Sequence, residues 1–170
     1  MALTIMQWNA HSLLCNTEQL KNFLINTPNP PDIICIEETF LKDKHQSPRM
    51  DGYDIIRKDR TNKEKGGLAI YIKMRLNFNA LNVQEPMNIE VQGIEVKTMH
   101  GHLKILNAYI PPGNNVDKED FETIINNKRM IMVGDFNAHN KMWGCTETRP
   151  RGRLLEEIIT ENRMIDTDLP

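Results

Sequence analysis

The sequence predicts an α/β fold with more strands than helices, and three observations predict it. Short, β-branched apolar runs such as Ile33-Ile34-Cys35-Ile36 recur along the chain. Elsewhere apolar residues fall at helical spacing, as at Leu20, Phe23 and Leu24 and again at Leu154, Leu155, Ile158 and Ile159. The order is strand, helix, strand, then several strands, then helix, strand, helix, a mixed arrangement rather than a run of βα repeats.

Leu3 to Trp8 opens the chain as a strand. Thr17 to Ile25 follows as a helix that Thr17 can cap and that Pro28, Pro30 and Pro31 cannot continue, because proline lacks the amide hydrogen and clashes with the preceding turn. Ile33 to Ile36 is apolar on both faces, as a buried strand is. Asp54 to Arg57, Gly67 to Ile72, Ile89 to Thr98 and Leu103 to Tyr109 are further strands, the last two joined as a hairpin around His100-Gly101-His102. Asp117 opens a helix reaching Asn126, Met130 to Val133 is another buried strand, Gly152 to Asn162 is an amphipathic helix, and Met164 to Asp168 is strand-like. No repeat, linker or low-complexity tract divides the chain, so residues 1–170 are expected to form a single domain.

A net charge of -2 excludes a case for nucleic-acid binding from bulk charge. Any DNA contact must come from a local patch. The one basic run holds Arg57, Lys58, Arg60, Lys63 and Lys65 with two acids interspersed, and it is either a solvated loop or a loop that touches phosphates. The 3 cysteines include no CxxC pair, which argues against a zinc knuckle or a dithiol redox motif, and Cys35 lies in an apolar run suited to a core thiol. That usage fits a reducing compartment. The first residues are too polar for a signal peptide, and no run approaches the ~18 apolar residues of a membrane span. The expectation is an intracellular protein, in nucleus or cytoplasm, with no membrane partner.

Polar residues punctuate the strand ends. In Met132-Val133-Gly134-Asp135-Phe136-Asn137, an acid and an amide stand two residues apart, and in an extended segment they share a face. The carboxylate can orient or deprotonate a water or hold a divalent cation, and the amide can hydrogen-bond an oxyanion. The same residues also make a good turn. Ile33 to Ile36 ends in Glu37-Glu38-Thr39, and period two puts Glu38 on the face of Ile34 and Ile36. Adjacent acids after an apolar strand are costly unless one meets solvent or a cation, so the pair is either a solvated strand end or a source of one metal ligand. Tyr109, before Pro111-Pro112-Gly113, is a core-edge residue or a donor to a phosphate oxygen.

Taken in order, Trp8-Asn9, Glu38-Thr39, Tyr109 with Pro111, and Gly134-Asp135-Phe136-Asn137 resemble the motif series of the endonuclease/exonuclease/phosphatase superfamily, the deoxyribonuclease I-like fold. Lys65-Gly66-Gly67-Leu68-Ala69-Ile70 is similar to the Gly-Gly strand found between the second and third motifs. Gln7-Trp8-Asn9-Ala10, Gly134-Asp135-Phe136-Asn137-Ala138-His139, Trp143-Gly144 and Arg151-Gly152 resemble the endonuclease of LINE-type retrotransposons. Apurinic repair endonucleases tend to carry an acid two residues after the first asparagine, where this chain has His11.

The resemblance implies a four-layer α/β/β/α sandwich and a DNA endonuclease. It implies that Glu38 binds Mg²⁺, with Mn²⁺ as the substitute, and that Asn9 sits close by as a ligand or catalytic neighbour. Asp135 would orient or activate the attacking water, and Asn137 and Tyr109 would hold the scissile phosphate. His139 and Trp143 join Arg60, Lys63 and Lys65 as the expected DNA contacts. A reverse transcriptase downstream in the same natural polyprotein is the implied partner. The family's series also includes a late Ser-Asp-His motif that this sequence does not contain. The last strands are therefore expected to be missing, the domain incomplete at its C-terminus and the chain impaired or inactive. His11, His45, His100 and His102 match no catalytic motif and are expected at the surface. Two other readings stay open: a non-catalytic relic or DNA- or partner-binding module that keeps the fold, and a lipid or inositol phosphate phosphoesterase.

Overall fold

The computed structural model describes residues 3–60, 65–84, 86–125, 129–162 and 164. The chain runs β1 (Ile5–Asn9), α1 (Thr17–Asn26), β2 (Ile33–Glu37), β3 (Tyr53–Lys58), β4 (Leu68–Lys73), β5 (Phe78–Leu81), β6 (Glu90–Thr98), β7 (Gly101–Tyr109), α2 (Lys118–Ile124), β8 (Met130–Asp135) and α3 (Pro150–Glu161), with a 3₁₀ turn at Lys141–Trp143.

Two four-stranded sheets form, ordered β1-β2-β4-β3 and β5-β6-β7-β8. Alternation decides which side chains meet between them. Ile33, Cys35, Ile70 and Ile72 of the first sheet pack against Ile94, Val96 and Ile105 of the second. The opposite face of the first sheet, with Ile34, Ile36, Ala69 and Tyr71, closes over Leu20 of α1. The opposite face of the second, with Val91, Leu106 and Ala108, closes over Phe121 and Ile124 of α2 and Ile158 of α3. The result is the expected α/β/β/α sandwich. Burying an aliphatic side chain contributes about 1.5–3 kcal/mol, against about 1 kcal/mol for a net hydrogen bond. The apolar layer therefore sets the sheets face to face, and the bonds from buried Asn107 Nδ2 to the Ile36 and Ala69 carbonyls (2.9 and 3.3 Å) fix their relative slide.

Most predicted elements form, with shifted ends. Asp117 caps α2 through a capping box with Asp120, but that helix stops at Ile124; residues 126–128 lie outside the described residues. Helix α3 starts at Pro150 rather than Gly152, with the proline in its first turn, where its missing amide costs nothing. The β6–β7 turn is Met99–His100, and His102 is already in β7. The strand β5 was not expected from the sequence. Of the predicted strand Met164 to Asp168, only Met164 is described, and it lies in no strand.

Two pairings aim the molecule. Strand β1 runs parallel to β2, with Asn9 opposite Glu37, and β7 runs parallel to β8, with Tyr109 opposite Asp135. Strands β1 and β2 also contact β8 across the sandwich. The carboxyl ends of these four strands thus meet at one end of the molecule.

Candidate active site at the ends of four strands

At that end Asn9 is the bridge. Its Nδ2 donates to Glu38 Oε1 at 3.1 Å and to Asp135 Oδ2 at 2.8 Å, joining carboxylates carried by opposite sheets. The Tyr109 hydroxyl donates to the same Glu38 Oε1 at 2.7 Å. Burial alone pushes the Glu38 carboxyl up, but the bonds from Asn9, Tyr109 and His11 outweigh it and hold its pKa below the usual carboxylate value. Burial first, and then the adjacent Glu38, push the Tyr109 phenol well above its ordinary range, so it stays protonated and donates.

The two acids of the Glu37-Glu38 pair face different surroundings. Glu37 is the last residue of β2 and is fully buried. It accepts a 2.5 Å bond from Gln7 Nε2, and among the described residues its Oε1 has no partner. Burial, then the nearby Asp135 and Glu38, push it up to about 8. Glu38 lies beyond the strand with φ +50. Its direction is therefore set by a left-handed turn, and the period-two argument that grouped it with Ile34 and Ile36 ends at Glu37. Asn137 departs from expectation in the same way. It has φ +46, so it does not share an extended face with Asp135. Its backbone N–H donates to Asp135 Oδ1 at 3.0 Å, and its Nδ2 donates to the Ile110 carbonyl at 3.1 Å. The i,i+2 spacing makes a turn that orients the carboxylate.

Sequence reasoning missed two residues here. His11, expected at the surface, is exposed, but its Nδ1 lies 3.0 Å from Glu38 Oε2. Arg151 enters the sequence reading only through the Arg151-Gly152 pair of the resemblance. Its guanidinium spans four carbonyls: Phe136 and Asn137 at 3.2 Å, Pro111 at 3.4 Å and Asn114 at 2.6 Å. It thereby ties the loop after Tyr109 to the loop after Asp135. Neither role leaves a local signal, because each joins residues distant in sequence.

The expected DNA contacts are dispersed. Arg60 is ion-paired with Glu90 at 3.1 Å and donates to the Lys65 carbonyl. Lys65 is exposed, and Lys63 lies outside the described residues. Also in the basic run, Arg57 pairs with Asp59, and Lys58 donates to the Val91 carbonyl. His139 and Trp143 line a cleft of about 670 Å³ together with Asn9, Asp135 and Asn137. Trp143 spends its indole N–H on the Ala138 carbonyl. A second cleft, of about 520 Å³, lies between the 112–116 loop, His139, Arg149 and Arg151.

Among the described residues no three His, Cys, Asp or Glu side chains form a metal cage. The donor set at Glu38 is a partly buried carboxylate whose Oε2, among the described residues, is bonded to His11 alone. One or two carboxylates completed by water and phosphate oxygens are how Mg²⁺ is usually bound, so the residues present fit such an ion.

The family model described as endonuclease-reverse transcriptase matches residues 103–168. The RNA-directed DNA polymerase from mobile element jockey of Drosophila melanogaster is 28% identical over 165 residues, covering 95% of this chain. The solved endonuclease domain of TRAS1, a telomere-specific non-LTR retrotransposon, matches with a TM-score of 0.73 at 20% identity, over 94% of this chain and 72% of that one. In sequence the chain is similar to these retrotransposon proteins, and in structure it shares the deoxyribonuclease I-like fold. An AP endonuclease from Leishmania major shares the fold of this chain with a TM-score of 0.64 at 16% identity, over 94% of this chain and 66% of that one. The chain spans 18% of the length of the jockey polymerase.

Proposed function

We propose that this nuclease domain hydrolyses a phosphodiester bond of DNA with Mg²⁺ and leaves a nick whose free 3′-hydroxyl primes reverse transcription by a polymerase domain of the same longer protein. The observation that carries the reading is the Asn9 bridge, which holds the Glu38 and Asp135 carboxylates at one strand-end cluster. A bound Mg²⁺ ion at Glu38 would supply charge neutralisation to the phosphate. The chain's own groups do the rest. Asp135, oriented by Asn9 and by the Asn137 backbone N–H, accepts a hydrogen bond from the attacking water and takes its proton. Tyr109, kept neutral, holds Glu38 in place and presents its hydroxyl beside the phosphate. Trp143 in the first cleft, Arg149 in the second and His139 in both line the path proposed for the strand.

A second reading is a module that holds DNA without cleaving it. One observation favours it: the Asn137 Nδ2, expected at the phosphate, is engaged by the Ile110 carbonyl. Nicking of supercoiled plasmid by residues 1–170 in Mg²⁺, beside Asp135→Ala and Glu38→Ala, separates the two. Nicking that both variants abolish supports the nuclease. Equal nicking by Asp135→Ala overturns the site, and folded protein that binds the plasmid without cutting it supports the second reading.

A further inference from the structure

We propose that His11 supplies a nitrogen ligand beside Glu38, making the cation site a mixed nitrogen–oxygen site that favours later divalent metals such as Co²⁺ over Mg²⁺. The inference rests on the reading of Glu38 as a cation ligand and adds a residue and a selectivity to it.

The geometry carries the argument. His11 Nδ1 lies 3.0 Å from Glu38 Oε2. Two neighbouring ligands of an octahedral ion, each about 2.1 Å from the metal, are about 3.0 Å apart. The separation that a shared proton gives is therefore also the separation that a shared cation needs. The two Glu38 oxygens are already divided in use. Oε1 accepts from Asn9 and Tyr109, while Oε2, among the described residues, is bonded to the imidazole alone. The His11 side chain is 74% exposed, so an ion can enter and keep water or phosphate on its remaining positions.

The ring is also held. The His11 backbone N–H donates to Asn9 Oδ1 at 3.1 Å, and the imidazole packs edge-on against Phe40 with centroids 5.3 Å apart. The two loops that carry these residues are tied by Ser12 N–H to the Glu38 carbonyl at 2.8 Å and by Leu13 N–H to the Thr39 carbonyl at 3.0 Å. His11, Ser12, Glu38 and Phe40 all have positive φ. Four non-glycine residues in that uncommon conformation within one pair of loops mark a segment whose surroundings impose the geometry. Its effect is to turn an imidazole and a carboxylate toward each other.

Chemistry supplies the selectivity. Magnesium prefers oxygen ligands, whereas an imidazole nitrogen strengthens binding along the series from Mn²⁺ toward Co²⁺, Ni²⁺ and Cu²⁺. The test is calorimetric titration of Co²⁺ and of Mg²⁺ into the 170-residue chain, with His11→Asn and His11→Ala beside it. Asparagine tolerates the left-handed backbone, so that variant keeps the loop while removing the imidazole. The expected result is a loss of Co²⁺ affinity of about tenfold or more in both variants, with Mg²⁺ affinity changed less than about twofold. Pulsed electron resonance of Mn²⁺ bound to the parent chain should show coupling to a directly ligated nitrogen, and His11→Asn should lose it. Unchanged Co²⁺ affinity in both variants, or no nitrogen coupling in the parent, overturns the inference and leaves the Glu38 site standing. Undiminished binding of both ions by Glu38→Gln overturns the cation site itself, and His11 with it.

Discussion

Gly134 lies so close to Ala108 that a Cβ on the glycine would sit 1.8 Å from the Ala108 carbonyl oxygen. The two residues are partners in the parallel β7–β8 pairing, and the next partners along are Tyr109 and Asp135. The missing side chain thus sets how closely two site residues approach. Gly134 also has φ +150, in the region L side chains avoid. Gly134→Ala should destabilise the fold by about 3 kcal/mol, the upper range for overpacking a well-packed position. A urea midpoint within error of the parent would show that the strands can move apart at no cost.

Asn9 tests the bridge without disturbing the core. Asn9→Ala removes the donor shared by Glu38 and Asp135 and should lower the nicking rate by about a hundredfold, the scale for losing one oriented donor in a site. Asn9→Asp should fall further, because a third carboxylate replaces the donor and repels the other two. Single-turnover nicking with melting temperatures measured in parallel decides it. A rate loss that tracks a loss of folded protein would make Asn9 structural only.

How much of this was legible in the sequence follows from the range of each signal. The four converging strand ends were legible, because apolar runs stop at polar residues and the motif order is read along the chain. Strand β5 was not: it has four residues, Asn79 among them, and only Phe78 and Leu81 are partly buried, so no alternation builds up. Glu38 and Asn137 were named from strand periodicity, yet both sit in left-handed turns beyond it, and periodicity carries no information past the last strand residue. His11 and Arg151 depend on partners brought near by the fold, the first by a loop 27 residues away and the second by loops up to 40 residues away.

Arg151 gives the next prediction. Its guanidinium holds four carbonyls from two loops, and burial holds its pKa below the usual arginine value despite the nearby Asp135. Beside it Gly152 touches the His139 backbone, where a Cβ would lie 1.9 Å from the carbonyl oxygen. Arg151→Ala removes the guanidinium from all four carbonyls, of which Pro111 keeps the Asn114 N–H, and should cost about 2–3 kcal/mol. Arg151→Lys should recover only part, because one ammonium cannot span two loops as a planar fork does. Limited proteolysis supplies the local reading: both variants should be cut faster in the 111–116 loop, and equal cutting would separate Arg151 from loop order.

Asp32 gives stability a pH dependence at the opposite end of the first sheet. Its side chain is 5% exposed and pairs with Lys73 at 3.1 Å and with Arg75 at 2.5 Å, and it also accepts from the Thr4 backbone N–H at 3.1 Å. Burial raises its pKa, but the bonds from Thr4, Lys73 and Arg75 outweigh burial and leave it below 3.8. A carboxyl whose folded pKa is lowered binds its proton more readily in the unfolded chain. Its contribution is therefore fully present above the unfolded value of about 3.9 and is lost as pH falls through the folded value. Asp32→Asn should cost about 2 kcal/mol at pH 7, moderated because Arg75 is half exposed. The gap between parent and variant should hold down to about pH 4 and close below it. Thermal melts of both proteins from pH 7 to pH 3 measure the gap directly. A gap that stayed constant through that range would assign the loss to packing rather than to the charge of Asp32.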